Sequence, residues 1–442
     1  MRHLIIYIIC AVLSISTLAA QEATKHEVAP YYRNALANMM VYHIEDEFGY
    51  DVYEIFKAMP ALEKFDNHDV EYRVIDNSKV KNVQGKGSET GFHRQQYGSS
   101  MVLTATEKRQ NGEAMVKLLN EAQIGKRMVA KWFNLQGNTV QDATFSTALL
   151  ESRSDYNVTV EEAEMAKYTV EGVNVIQAIS EELISHSFVL VSDLTYITAE
   201  NRAESAKVAL GVLGAIFDAA TGKNYGERLA QIGGDIADSY TGFKVWTHSY
   251  LFQLEWNDSI ANIFYSKYYT ETPSPERIQA FLADKNTFKL KYLGAESAQA
   301  EKTQKIGKYS RSELLEMITR RSIDSNVAKL QSSYEAFRIK TPISAAEYDT
   351  KGKLKGFRAL VGLKEGVSET RTYEVLEMKL NNKGKVVYNR VATLKPIANQ
   401  IWDNRFNALL ENNVDVAVEG TLFKIQGSPS KAIVPGMLIR EM

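Results

Sequence analysis

The stretch Ser187–Trp256 constrains this chain more than any other. Phe188 to Ile197 is an apolar, β-branched run with little charge, which predicts a strand. From Phe243 to Trp256 the residues alternate. Trp246, His248, Tyr250, Phe252, Leu254 and Trp256 fall on one face, and Val245, Thr247, Ser249, Gln253 and Glu255 on the other. Successive strand side chains point to opposite faces, so this alternation predicts a second strand. Between them, Glu204–Thr221 and Glu227–Ser239 read as a helical hairpin, 204–239, inserted between strands 188–197 and 243–256. A chain so arranged pairs its two strands antiparallel across the hairpin.

The ends and the composition set the next limits. Met1-Arg2-His3 is a short basic start, Leu4 to Leu13 an apolar core, and Ser14 to Ala20 a small-residue exit. That is the pattern of a secretory signal peptide, 1–20, with cleavage after Ala19 or Ala20. The one cysteine, Cys10, lies inside that core, so a chain cleaved there has no thiol for disulfides, nucleophilic catalysis or metal binding. Of the 442 residues 45% are hydrophobic, enough apolar surface for two or three packed cores. Removing Arg2 from 52 basic side chains leaves 51 against 54 acidic ones. Near-neutral charge argues against nucleic acid as a partner. Past the signal no apolar run approaches the roughly 18 residues of a transmembrane span.

Along the rest of the chain, helices are predicted from Tyr31 to His43, Val52 to Met59, Met115 to Phe133, Val160 to Val170, Val173 to Ile184, Glu276 to Ala283, and Ser312 (as cap) to Phe337. Strands are predicted at Asp69–Ile75, Met101–Ala105 and Phe288–Leu293, an exposed loop at Asn77–Ser100, and a polar linker at Glu296–Lys308. After Lys340 the style changes. Phe357–Leu363, Tyr373–Lys379, Val386–Leu394, Thr421–Ile425 and Met437–Arg440 are short strands separated by turn signals, which predicts a small β-barrel or sandwich, 341–442. The fold class expected is α+β: a mixed helical and β unit, 21–340, with an antiparallel strand pair bridged by the hairpin, followed by a small all-β domain.

The motif search excludes more than it finds. The mature chain has His26, His43, His68, His93, His186 and His248, none at metal-ligand spacing, and no nucleophile elbow or phosphate loop. No metal and no cofactor is therefore expected. Glu45-Asp46-Glu47 and the Glu161–Glu164 cluster are carboxylate groups of the kind found on solvated helix faces. Trp246, Tyr250 and Trp256 either pack into a core or form an aromatic platform for a ligand. Trp402, Asp403 and Arg405, in Ile401–Phe406, either anchor a turn or clamp a polar ligand. In the hairpin, Val208–Phe217 is apolar all round, and Gly211, Gly214 and Ala215 would let a neighbouring backbone approach. Packing within its own unit, self-association and membrane contact all remain open there.

Several stretches resemble a family of secreted proteins of unassigned function from Bacteroides-type bacteria. They are Tyr31–Arg33, Ala122–Phe133, Glu182–Asp193, Tyr250–Asp258, Val361–Gly366, Ile401–Phe406 and Gly436–Arg440. The resemblance implies an envelope location and no catalytic motif. The C-terminal part, through Val361-Gly362-Leu363-Lys364-Glu365-Gly366 and Gly384–Val391, is similar to small β modules of flagellar T-ring-like envelope assembly proteins. The expectation is an exported protein, periplasmic or outer-membrane-associated, that acts as a scaffold or binding module. Its partners would be other envelope proteins or a glycan, or a second copy of itself through the hairpin. The alternative is a carbohydrate-active or cell-wall hydrolase using carboxylates.

Overall fold

A computed structural model describes residues 34–81, 92–94, 103–155, 180–198, 240–305, 308–381, 386–408 and 419–442. The signal segment and the hairpin 204–239, with Gly211, Gly214 and Ala215, lie outside the described residues.

Two strands form the spine. β4 (Ser187–Thr198) pairs antiparallel with β5 (Tyr240–Leu254), and every residue from Phe188 to Thr198 has a partner on β5. β1 (Ala35–Tyr42) runs parallel to β4 on its other side, and β6 (Leu290–Lys305) runs antiparallel to β5. Short β2 (Asp66–Asn67) and β3 (Val74–Asp76) pair parallel with β1. The sheet is thus mixed, ordered β2-β1-β4-β5-β6, and more than the expected strand pair.

Helices cover both faces. On one face Val189, Val191, Tyr250 and Phe252 meet Met115 and Leu119 of α3 (Ala105–Glu121) and Met128 and Trp132 of α4 (Ile124–Trp132). On the other, Phe188, Leu190 and Leu251 meet Phe56 of α1 (Gly49–Ala58) and Leu315, Ile318 and Leu330 of α8 (Arg311–Ser333). Between lie α2 (Asn77–Lys81), α5 (Ala148–Asp155), α6 (Asp258–Ile263), a wide helical turn Phe264–Tyr268, and α7 (Pro275–Ala283). Each large apolar side chain buried this way contributes about 1.5–3 kcal/mol.

From Thr341 the chain builds a closed antiparallel barrel in the order β10-β11-β8-β7-β12-β9. Its strands are β7 (Thr341–Tyr348), β8 (Leu354–Ala359), β9 (Tyr373–Leu380), β10 (Val386–Pro396), β11 (Thr421–Gln426) and β12 (Leu438–Glu441). Ile343, Phe357, Val375, Leu394, Phe423 and Ile439 fill it. Closure leaves no strand edge to pair elsewhere.

Several local expectations are corrected. Tyr31–His43 contains β1 and not a helix. β1 is buried on both faces, so its run Ala-Leu-Ala-Asn-Met-Met-Val-Tyr shows no period to distinguish the two. Ala105 opens α3 and is not strand, because Thr104 and Glu107 form a capping box. The single helix Met115–Phe133 is two, broken where Gln123 takes a left-handed conformation with φ 58°. Glu296–Lys308 is no linker, since β6 runs to Lys305. It reads as polar because an edge strand faces water and charge there discourages pairing. Of Asp69–Ile75 only the end is strand, and Asn77–Lys81 is helical. The cap of α8 is Ser310 with Glu313, not Ser312.

A buried polar stripe fixes how α8 lies on the sheet. The Asn326 amide donates to the Thr247 carbonyl at 2.8 Å and to Ser249 Oγ at 3.0 Å. Thr247 bonds Ser322, Tyr196 bonds Thr319 at 2.8 Å, and Ser249 bonds Ser192 at 2.9 Å. Asn326→Ala strips the donor from two buried acceptors, so urea unfolding is expected to show a loss of about 1–3 kcal/mol. An unchanged midpoint would remove the stripe from the forces that position α8.

Candidate functional site

The β4–β5 pairing places chemistry-bearing groups midway along the sheet and at one of its ends. Midway along β4 and β5, where β1 finishes, Asp193 and His248 are cross-strand partners, and His43 follows β1 directly. All three are buried: Asp193 and His248 are 1% exposed and His43 5%. His43 Nε2 lies 2.8 Å from Asp193 Oδ1. On its other side the Asn77 amide nitrogen is 3.2 Å from His43 Nδ1 and donates to the Glu45 carboxylate at 2.5 and 2.6 Å. Nε2–H of His43 faces the Asp193 carboxylate and donates to it. Arg94 forks onto Asp46, at 2.9 Å through its first nitrogen, donates to the Leu194 carbonyl at 3.0 Å, and sets Nε 3.6 Å from Asp193.

Electrostatics follow from this geometry. Burial opposes ionisation of Asp193, but the attraction and hydrogen bond of His43 and the charge of Arg94 outweigh it, so its carboxyl sits below the usual range. Burial pushes the His248 imidazole down to about 4, against the pull of Asp193. His248 Nδ1 is 2.7 Å from Ser297 Oγ, which brings a Ser, a His and an Asp close together. They form no relay. A catalytic triad needs the Asp on the second ring nitrogen, and His248 Nε2 has no hydrogen-bond partner, while Asp193 is taken by His43. The cavity beside His43 and Asp46 holds only about 10 Å³, about one water. Among the described residues no group of three His, Cys, Asp or Glu is placed to hold a metal ion.

The sheet is open at the end where β4 begins and β5 finishes. There the helical residues 180–185 enter β4, α6 leaves β5, and β10 of the barrel approaches. A cleft of about 690 Å³ is lined by Glu181, Glu182, Ser185, Trp256, Asn257, Asp258, Ser259, Ile260, Ala261 and Val386. An adjoining cavity of about 340 Å³ shares Glu181, Trp256 and Ala261 and adds Tyr265. The Asn257 side chain caps α6, accepting from the Ser259 and Ile260 amides at 3.0 and 3.1 Å. Glu182 ties the cleft to the barrel. It accepts from Tyr388 Oη at 2.7 Å and lies 3.9 Å from Lys340 Nζ, itself 4.3 Å over the Tyr388 ring.

The residues singled out in sequence separate accordingly. Trp246 and Tyr250 lie in the core, at 4% and 0% exposure, and Tyr250 Oη accepts from Asn111 at 2.7 Å. Trp256 is 9% exposed and shows its remaining surface to the cleft. Trp402, Asp403 and Arg405 sit together where α8 meets the barrel. Arg405 pairs with Asp403 at 2.8 Å, the Trp402 carbonyl accepts from Leu363 N at 2.9 Å, and a Cβ on Gly362 would stand 2.3 Å from that carbonyl. Arg321 bonds the Phe406 carbonyl at 3.0 Å and Arg320 covers the Phe406 ring at 4.2 Å. Glu181, Glu182, Asp258 and Val386 escaped the sequence reading. The signal was available in part: antiparallel strands place the entry to β4 and the exit from β5 at one end of a sheet.

Compared with known proteins, the chain matches no family model, and no curated protein matches it significantly.

Two buried histidines give the pH dependence its sign. His68, stacked on Trp132 at 4.7 Å and bonded to the Met128 carbonyl at 3.0 Å, is pushed down to about 3 by burial. For His68 and His248 the folded state excludes a proton that the unfolded chain binds below about 6.5. Stability is therefore full above that value and falls as pH drops from 6.5 towards 4. The slope approaches about 1.4 kcal/mol per pH unit for each histidine. Urea midpoints measured from pH 7.5 to 4.5 should show this fall, and His248→Gln should roughly halve its slope, leaving the part due to His68. A flat profile in the parent chain would contradict the burial of these rings.

Proposed function

We propose that this is an exported cell-envelope protein that works as a scaffold or binding module, with its ligand seat in the cleft at Trp256. The observation that carries the binding reading is the cleft itself. Its volume of about 690 Å³ falls in the range of ligand sites, roughly 300–1,000 Å³. It lies where β10 of the barrel meets the sheet unit, and junctions of this kind are preferred places for such sites. The strongest titratable constellation, His43, Asp193 and Arg94, lies midway along β4, and the cavity beside it holds only about 10 Å³. Export is supported by the basic start, apolar core and small-residue exit of residues 1–20. Membership in the secreted Bacteroides-type family and kinship of the barrel with T-ring-like modules belong to the same reading. So does partnership with envelope proteins, a glycan or a second copy.

A second reading is a carboxylate-dependent cell-wall hydrolase, because Glu181, Glu182 and Asp258 all line the cleft. Against it stands Glu182, whose carboxylate is occupied by Tyr388 and Lys340.

Fractionation of cells carrying a C-terminally tagged chain tests export. The mature protein, shortened by 19 or 20 residues, should appear in the osmotic-shock supernatant or the washed outer-membrane pellet. Recovery from the cytosol with Met1 intact would overturn that half. Incubation with glycan and peptidoglycan pools should yield no cleavage, whereas turnover abolished by Glu181→Gln would transfer the cleft to the hydrolase reading.

A further inference from the structure

The chemistry lining the cleft narrows what it can take. Glu181 and Asp258 are both exposed at its mouth, one from each side. Among the described residues lining either cavity there is no lysine or arginine. Two of the described cations contact lining residues: Lys340 is buried beside Glu182 and over Tyr388, and Arg277 bonds the Tyr265 and Tyr269 carbonyls at 3.5 and 2.8 Å, so neither contact is made with Glu181.

Aromatic rings stand behind that charge. Trp256 and Tyr265 flank the same pair of rings. Trp256 lies 6.0 Å from Phe133 and 5.9 Å from Phe264, and Tyr265 lies 5.6 and 5.5 Å from them. Tyr265 is 46% exposed, so its ring is open to solvent. Burial raises the Tyr265 hydroxyl above its ordinary value and the Glu181 charge raises it further, which places that carboxylate within electrostatic reach of the ring. Carboxylate beside aromatic face is the environment that takes a guanidinium or ammonium. The ring quadrupole attracts the cation and the carboxylate accepts its hydrogen bonds. Val386 from the barrel and Ile260 and Ala261 from α6 give apolar walls for an aliphatic stem, and Ser185, Ser259 and Asn257 give polar groups for a backbone.

We infer that the cleft between Glu181, Trp256, Asp258 and Val386 receives a basic side chain, arginine above lysine, from a peptide segment of a partner protein. Arginine is favoured because its planar fork both stacks on a ring and meets a carboxylate through two hydrogen bonds. This rests on the reading of the cleft as the ligand seat and specifies what sits there.

Calorimetric titration of the full-length chain with acetyl-Arg-Gly-Arg-amide tests it. Chitotriose and acetyl-Glu-Gly-Glu-amide serve as neutral and acidic controls. The basic peptide should bind, more weakly at higher salt. Glu181→Lys, at an exposed position, should weaken it about tenfold. Ser259→Trp, also at an exposed position, should fill the cleft and abolish binding, with circular dichroism confirming the fold of both variants. If chitotriose binds and Ser259→Trp abolishes that binding while the basic peptide stays inert, the seat stands and the basic ligand is overturned. If the peptide binds equally well to the Ser259→Trp chain, or if neither probe binds, both the seat and the ligand class are overturned.

Discussion

The register that joins β4 to β5 is the constraint on which the other features depend. Phe188 faces Gln253 and Thr198 faces Phe243, with each residue between them matched. A slip of β5 by a single residue would turn Tyr250 and Phe252 away from α3 and α4 and towards α8. The same register fixes what lies midway along the pair and what lies at its start. Asp193 meets His248 midway, and the approach to β4 meets the departure from β5 at one end. The closed polar cluster and the open cleft are two consequences of one pairing.

Burying Asp193 is costly, and its surroundings answer that cost. A carboxylate at 1% exposure survives as an ion only with partners. His43 and Arg94 supply them, and Asn77 and Asp46 hold those two in place. Losing one member of such a network strands a charge, which typically costs about 3–5 kcal/mol. The network therefore specifies one arrangement of β1, α2 and the segment around Arg94 against β4. Groups committed to each other in this way are poorly placed to serve a substrate. The cleft where β4 begins differs. It is roomy, Glu181 and Asp258 are exposed at its mouth, and one wall, Val386, comes from β10 of the barrel.

The spine was legible because its pattern is strong and local. Alternation from Trp246 to Trp256 and the apolar run at Phe188 announced two strands. The turn-punctuated sequence after Lys340 announced short antiparallel strands. What was illegible has physical causes. β1 is covered on both faces, so it lacks the polar period that marks a half-exposed strand. β6 is an edge strand, so its outer half, from Glu296, looks like linker. Asp193, His43 and Arg94 are separated by up to 150 residues, and nothing local marks them as neighbours. Of the candidate ligand residues only Trp256 reaches the cleft. Its acidic neighbours Glu181 and Asp258 resemble ordinary helix-end charges until the strands between them are paired.

Because Cys10 is the one cysteine, the register can be read by cross-linking. In a Cys10→Ser chain, Ile197→Cys with Lys244→Cys occupies directly opposed positions, and Ile197→Cys with Gly242→Cys a register shifted by two. Opposed antiparallel residues have Cα atoms about 4.5–5.5 Å apart, within disulfide range. Mass spectrometry after mild oxidation should find the 197–244 bridge in nearly all molecules and the 197–242 bridge in few. Efficient closure of 197–242 with 197–244 left reduced would contradict the pairing, and with it the placement of the buried cluster and of the cleft.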